Sequence, residues 1–465
     1  MASPNILFIH SDQHRFDCVG VNQPHALDGP NRLVKTPNLD RLAGDGVNFT
    51  SAYTPIPLCT PARACFLTGT WASIHKSWVI PNTLGYRPAP DELPNLYRLF
   101  SDAGYRVAHI AKYHKELTGT PLDHGAAFYQ DEEDGYDEWR AEQGLEKRPM
   151  TNGFWGETDD VDEDMGRIAW GARHTADQIK AGVDAGKPFF VRWDPSEPHL
   201  PNIVSEPWAS MYEPGEVPPW PSFPDPLTNK PPMQRRTRER WECEGWDWEQ
   251  WQPVVARYLG EIALLDKHVG KLLDLLDELG VADDTLVVYS TDHGDFCGGH
   301  GMNDKHYCGY DDILHVPLIA RLPGKLDANT ECNRFVVHEL DLAKTFLDAA
   351  GIDAPKSFVG RSLFDEVADV EPARQDVFMQ YSGTQQGRVD QRYLRDRRWK
   401  YVYTPAATDE LYDLENDPAE LTNLIDDPRY ANELHHLRER MMVSMKEAKD
   451  PLTGPLWKWP ERIQP

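Results

Sequence analysis

The sequence predicts an α/β protein: a large domain with a mostly parallel central sheet flanked by helices, then a smaller C-terminal α+β domain with an antiparallel sheet. Three observations predict it. Short apolar runs each end in polar residues, helical patterns lie between them, and the character of the chain changes after about residue 375. Short apolar runs bounded by turn formers read as buried strands. Their alternation with helices gives βαβ units and hence parallel pairing.

Taken in order, Ile6-Leu7-Phe8-Ile9 leads to Ser11, Asp12, Gln13 and His14. Thr36 and Pro37 then read as the N-cap and first residue of a helix over Asn38–Ala43 that stops near Gly44. Arg106–Ile110 leads to Lys112 and His114, and Phe189–Trp193 leads to Asp194 and His199. From Val254 onward, apolar residues at Tyr258, Ile262, Leu265, Val269, Leu272, Leu276 and Leu279 mark one face of a helix closed by Gly280. Leu286–Tyr289 leads to Asp292, His293 and Asp295.

Residues 214–232 are rich in proline and read as an irregular crossing loop. Arg235, Arg236, Arg238 and Arg240 follow, with tryptophans at 241, 246, 248 and 251. Two readings stay open for this stretch. It is a packed loop with a solvated charged face, or a pocket wall that grips a sugar or anionic substituent by stacking and guanidinium contacts. The catalytic domain is expected over 1–375 and the smaller domain over 376–465. In the latter, Arg392–Tyr403 reads as strands exposed on one face, 410–418 as a turn-rich segment, and Tyr430 to about Lys449 as a helix.

The chain has 465 residues and a formal charge of −27. That argues against nucleic acid or an anionic membrane as the main partner, because both need a broad positive field. No apolar stretch approaches a membrane span. The amino terminus lacks a basic n-region and Ile6–Ile9 is too short for a signal core. A cytoplasmic location is the expectation, with a trimmed secreted form as the alternative. Seven scattered cysteines form no CxxC pair and no disulfide framework. Oligomeric state is open, a homo-oligomer included.

Ligands of open parallel sheets sit beyond the carboxyl ends of the strands. Runs ending in Asp12/Gln13, Lys112/His114, His199 and Asp292/His293 are therefore expected to converge on one pocket. Carboxylates, a carboxamide oxygen and an imidazole suit one divalent cation, and the nearby lysines and histidines suit an anionic tetrahedral group. Cys59 lies at or just before a helix start marked by Pro61, where backbone N–H groups and the dipole favour negative charge. On these grounds alone it is either a thiolate nucleophile or a small buried residue.

Cys59-Thr60-Pro61-Ala62-Arg63 resembles the C-x-P-x-R signature of the sulfatase family, in the alkaline-phosphatase-like superfamily. Asn5–Gln13, Thr36–Leu42, Gly104–His114, Ser290–Gly301, Val316–Ile319 and Glu410–Leu424 resemble further family blocks in family order, so the resemblance covers nearly the whole chain. It implies that Cys59 is oxidised to Cα-formylglycine by a formylglycine-generating enzyme, and that one hydroxyl of its hydrate attacks sulfur while the second later expels sulfate. It implies metal ligation by Asp12, Gln13, Asp292, His293 and modified Cys59. Arg63 and Lys112 match groups that hold the formylglycine, and His114 matches a base for the elimination. His199 and Lys305 match sulfate-contacting groups, with His199 the candidate for protonating the leaving oxygen.

Asp12-Gln13 replaces the usual paired aspartates, and Asp292-His293 the common Asp-Asn. That combination resembles the phosphonate monoester hydrolase and choline-sulfatase branches. Calcium is the favoured ion, and the imidazole brings in manganese as the alternative. The expected activity is hydrolysis of a sulfate monoester on a carbohydrate or other small organic sulfate. A phosphonate monoester or phosphodiester hydrolase is the runner-up, and a non-catalytic carbohydrate-binding relative is a third reading. His75, His306, His315, Cys65 and Cys297 read as structural first. His14 and Arg15 are open between substrate contact and loop structure.

Overall fold

The computed structural model describes residues 3–384, 387–405 and 407–453. An eight-stranded sheet runs in the order Thr330–Cys332, Val47–Phe49, Leu318–Arg321, Thr285–Thr291, Asn5–Ser11, Phe189–Asp194, Arg106–Ala111 and Phe128–Asp131. From Thr285–Thr291 to Phe128–Asp131 all neighbours are parallel, and Leu318–Arg321 is antiparallel to both its partners. The strand Asn5–Ser11 explains why these runs are continuously apolar. Ile6 and Phe8 pack into the core on one face, with Phe66, Phe100 and Phe346. Leu7 and Ile9 pack on the other, with Leu39, Ile179, Leu265 and Leu272. Both faces are covered, so neither set of alternating residues is free to be polar.

Helices Pro37–Gly44, Arg167–Asp184 and Trp248–Glu278 cover the second face; Cys59–Thr68, Leu96–Asp102 and His338–Ala350 cover the first. The long helix starts at Trp248, earlier than the apolar periodicity indicates, because Asp247 and Gln250 form a capping box ahead of Pro253. Thr36 does not cap Pro37–Gly44. Its hydroxyl accepts from Gly20 N–H instead. The carboxylate of Asp266, in the long helix, accepts from the backbone N–H groups of Asn38 and Leu39 at 3.1 and 2.8 Å. The arginine run that was expected as a charged loop face forms the helix Pro232–Arg240.

The C-terminal part holds an antiparallel four-stranded sheet, Val377–Gly383, Val389–Arg395, Trp399–Tyr403 and Glu410–Asp413 in that order. Two expectations need correction here. Glu410–Asp413 is a strand rather than part of a turn, and Trp399–Tyr403 is buried along its whole length. Helix Ala431–Glu447 covers one face through Leu434, Leu437, Met441 and Met445. The other face, carrying Tyr393, Val402 and Tyr412, packs on Tyr53, Ile56, Tyr310 and Ile313. Among the described residues, no helix is long and apolar enough to cross a membrane.

Candidate active site

Four adjacent strands, Thr285–Thr291, Asn5–Ser11, Phe189–Asp194 and Arg106–Ala111, deliver their carboxyl ends to one place. Asp12, Asp292 and His293 are completely buried there, and Lys112 is 9% exposed. The chain turns at Gln13 with φ 68°, a conformation that costs an L-residue energy. Two hydrogen bonds hold it: Gln13 N–H donates to Asp292 Oδ1 at 3.3 Å, and Tyr258 OH donates to Gln13 O at 2.9 Å. Gly294, after His293, lies so close to its neighbours that a Cβ would sit 2.0 Å from the Asp312 carbonyl.

Cys59 opens the buried helix Cys59–Thr68 and enters this cluster from the first face. Its Sγ lies 3.2 Å from His293 Nε2 and 3.7 Å from Asp12 Oδ1. Burial, with Asp12 adding to it, pushes the thiol up to about 12. The helix terminus does not offset that burial, whereas a cation at the adjoining donor set would lower the thiol again.

Arg63, one turn on, ties the strand ends together. Nε bonds Asp292 Oδ2 at 2.8 Å, Nη2 bonds Asp12 Oδ2 at 3.1 Å, and Nη1 bonds Asp194. Lys112 Nζ lies 2.7 Å from Asp12 Oδ2. Burial alone would raise the Asp12 carboxyl, yet Lys112 and Arg63 hold it well below the usual carboxylate range. Asp194 is held low in the same way by Arg192 and Arg63 against its burial. Asp194, marked in the sequence as a strand-end residue with no role assigned, is linked at 2.5 Å to Arg192, which had no signal of its own. The only signal was that Asp194 ends an apolar run.

Lys305 bridges the far side. Its Nζ donates to Gln13 Oε1 at 2.8 Å and to His199 Nε2 at 2.5 Å, and lies 3.0 Å from Asp304 Oδ1. His199 Nδ1 faces the Leu200 carbonyl at 2.5 Å, so Nδ1 carries the hydrogen and Nε2 accepts from the ammonium. Burial and Lys305 push His199 well below its ordinary range, which keeps it neutral. His114 sits beside the helix Cys59–Thr68, its carbonyl accepting from Thr60 Oγ1 at 3.2 Å and its buried Nδ1 without a hydrogen-bond partner.

The donor set fits one divalent cation. Ligand atoms of Asp12, Cys59, Asp292 and His293 all lie within 4.8 Å of one another. His293 Nδ1 donates to the Gly294 carbonyl at 2.9 Å, which leaves the Nε2 lone pair aimed at the carboxylates. Gln13 stands beside this set, but its carboxamide oxygen is engaged by Lys305 and its Nε2 donates to Asp295 at 2.6 Å. The structure thus brings Asp12, Cys59, Arg63, Lys112, His199, Asp292, His293 and Lys305 into direct contact, with Gln13 and His114 at the edge.

The open residues are settled as follows. His14 bonds Tyr289 OH and the Cys18 carbonyl, and Arg15 pairs with Asp17 and Asp312, so both build the loop. His75 contacts Cys65, and His315 stacks on Phe16 and Tyr53. Of the tryptophan-rich stretch, Trp251 is core, whereas Trp241 and Arg240 line a cavity of about 780 Å3 that opens beside His199, Lys305 and His306. Phe154 and Trp155 form the rest of its aromatic wall.

Comparison with known proteins agrees with this geometry. The chain is 28% identical to an arylsulfatase of Clostridium perfringens, over 97% of this chain and 96% of that one. It is 29% identical to a choline-sulfatase of Rhizobium meliloti, over 92% and 83%. The fold matches a phosphonate monoester hydrolase of Agrobacterium radiobacter with a TM-score of 0.81 and 24% identity, over 96% of each chain. Residues 298–447 match the C-terminal model of N-sulphoglucosamine sulphohydrolase. Because residues 4–352 match the sulfatase family model and the strand ends meet around Cys59, this chain belongs to the sulfatase family.

Proposed function

We propose that the chain hydrolyses a sulfate monoester at the junction of Cys59, Lys112, His199 and Lys305, with Cys59 carried as Cα-formylglycine. One observation carries the reading: a fully buried cysteine at a helix start stands in a metal-type donor set, with Arg63, Lys112 and Lys305 close by. An aldehyde at this position supplies what a thiol does not, a hydrate with one hydroxyl to attack sulfur and another to drive release of sulfate by carbon–oxygen cleavage. Asp12, Asp292, His293 and an oxygen on residue 59 would hold the cation, calcium first and manganese second. When bound, the cation supplies Lewis-acid polarisation and a lowered hydroxyl pKa.

The chain's own groups do the rest. Arg63 holds three buried carboxylates in register. Lys112 and Lys305 offset charge on the sulfuryl oxygens, where developing charge is stabilised most in a water-poor site. The Lys305–His199 pair is placed to pass a proton to the departing oxygen, and His114 Nδ1 is a free acceptor for the elimination. The aromatic wall of Phe154, Trp155 and Trp241 suits the apolar face of a sugar ring in the leaving group.

Mass spectrometry of the proteolytic peptide containing Cys59 tests this, alongside turnover of 4-nitrophenyl sulfate. The expected peptide is lighter by the exchange of SH2 for O, and Cys59→Ala abolishes turnover while leaving the fold intact. Active protein with only unmodified thiol overturns the proposal. Gln13 and His293 favour one second reading, a phosphonate monoester hydrolase. A higher kcat/KM for an aryl phosphonate monoester than for the aryl sulfate selects it.

A further inference from the structure

A second cavity, of about 230 Å3, shares His199 and Leu200 with the aromatic one. Lys112, His114, Glu132, Arg148 and Arg167 line it. Arg148 is only partly exposed and, among the described residues, makes no hydrogen bond or ion pair. Glu197 and Glu261 attract it, but no acidic neighbour among the described residues lies within ion-pair distance of it. Glu197 is held by Arg167 at 2.7 Å. Glu132 accepts from Ser196, and burial pushes both it and the nearby Glu261 upward, toward their neutral forms. Asp131 is taken by Tyr129 OH and Glu133 N–H at 2.5 and 2.7 Å, and Glu133 lies exposed at the rim. Burial and the like charge of Arg167 outweigh the attraction of Glu197 and Glu261 for Arg148. A half-buried guanidinium left without a partner is costly, and its planar fork matches a carboxylate or sulfate.

We propose that Arg148 is a specificity-determining residue that holds a second anionic group of the substrate, a carboxylate or a further sulfate. The preferred ester then carries at least two negative charges. One sits among Lys112, His199 and Lys305; the other reaches through the smaller cavity to Arg148. The inference rests on the sulfuric-ester reading.

Calorimetric binding to the metal-loaded Cys59→Ala full-length chain tests it, because binding is read without turnover. The probes are N-acetylglucosamine 6-sulfate, with one anion, and N-sulfoglucosamine 6-sulfate and glucuronic acid 2-sulfate, each with two. At least one dianion is expected to bind about tenfold or more tightly than the monoanion. Which one does so distinguishes sulfate from carboxylate. Adding Arg148→Ala should bring that preference to near unity, and Arg148→Lys should keep part of it. Equal binding of all three probes, binding of none, or a preference that survives Arg148→Ala overturns the proposal. Failure of the sulfatase reading shows separately, as absent aryl sulfate turnover by the wild-type chain.

Discussion

Arg63 is the residue on which the geometry of the site turns, since one guanidinium meets Asp12, Asp194 and Asp292 where water is excluded. A buried charge is tolerated only when paired this completely. Glu116 shows the opposite state. One of its oxygens accepts from His114 N–H at 3.1 Å, the other has no partner, and burial pushes its carboxyl up to about 6 although Arg192 and Arg63 pull it down. Its folded pKa lies above the unfolded value, so its stabilising contribution is complete below about pH 4.3 and is lost as pH rises through 6. The loss amounts to about 2 kcal/mol. Urea midpoints measured from pH 4 to 7 should fall less for Glu116→Gln than for the wild type. Parallel profiles would contradict this.

Among the elements, the short helix Pro37–Gly44 depends on another helix for its cap. Asp266 bonds Asn38 N–H, Leu39 N–H and the Asn38 side chain from 228 residues away. Asp266→Ala leaves those donors unsatisfied in a buried place and should cost about 1–2 kcal/mol of stability. Equilibrium denaturation reads the change, and an unaltered midpoint would show that water replaces the cap. Thr36 looked like the cap in the sequence because Thr-Pro before an apolar period is a local signal. A carboxylate arriving from a packed neighbour leaves no local trace. The strands behave differently. Their apolar runs and polar ends are local features, and each one marked in the sequence is a strand of the central sheet.

At the scale of the whole molecule, we propose that residues 1–375 and 376–465 are two architectural parts of one folding unit. The cluster containing Tyr53, Tyr310 and Phe335 also contains Met379, Tyr393 and Tyr412, and Lys400 Nζ pairs with Asp311 and Glu420 at 2.5 and 2.7 Å. A chain ending at 375 should therefore be insoluble or unfolded by circular dichroism, and the full chain should melt in one calorimetric transition. A folded 1–375 fragment would separate the parts. By itself, the sequence determined the class of fold and pointed to the residues proposed to carry chemistry, because strand periodicity, strand-end polarity and the C-x-P-x-R signature are written in neighbouring residues. Tertiary structure alone decided which charges neutralise which and which are left over. Cys59 meets Asp12 across 47 residues, Arg63 meets Asp194 across 131 and Asp292 across 229, and Arg148 forms no ion pair among the described residues. Such pairings are set by how helices and strands pack, and no stretch of sequence contains both partners.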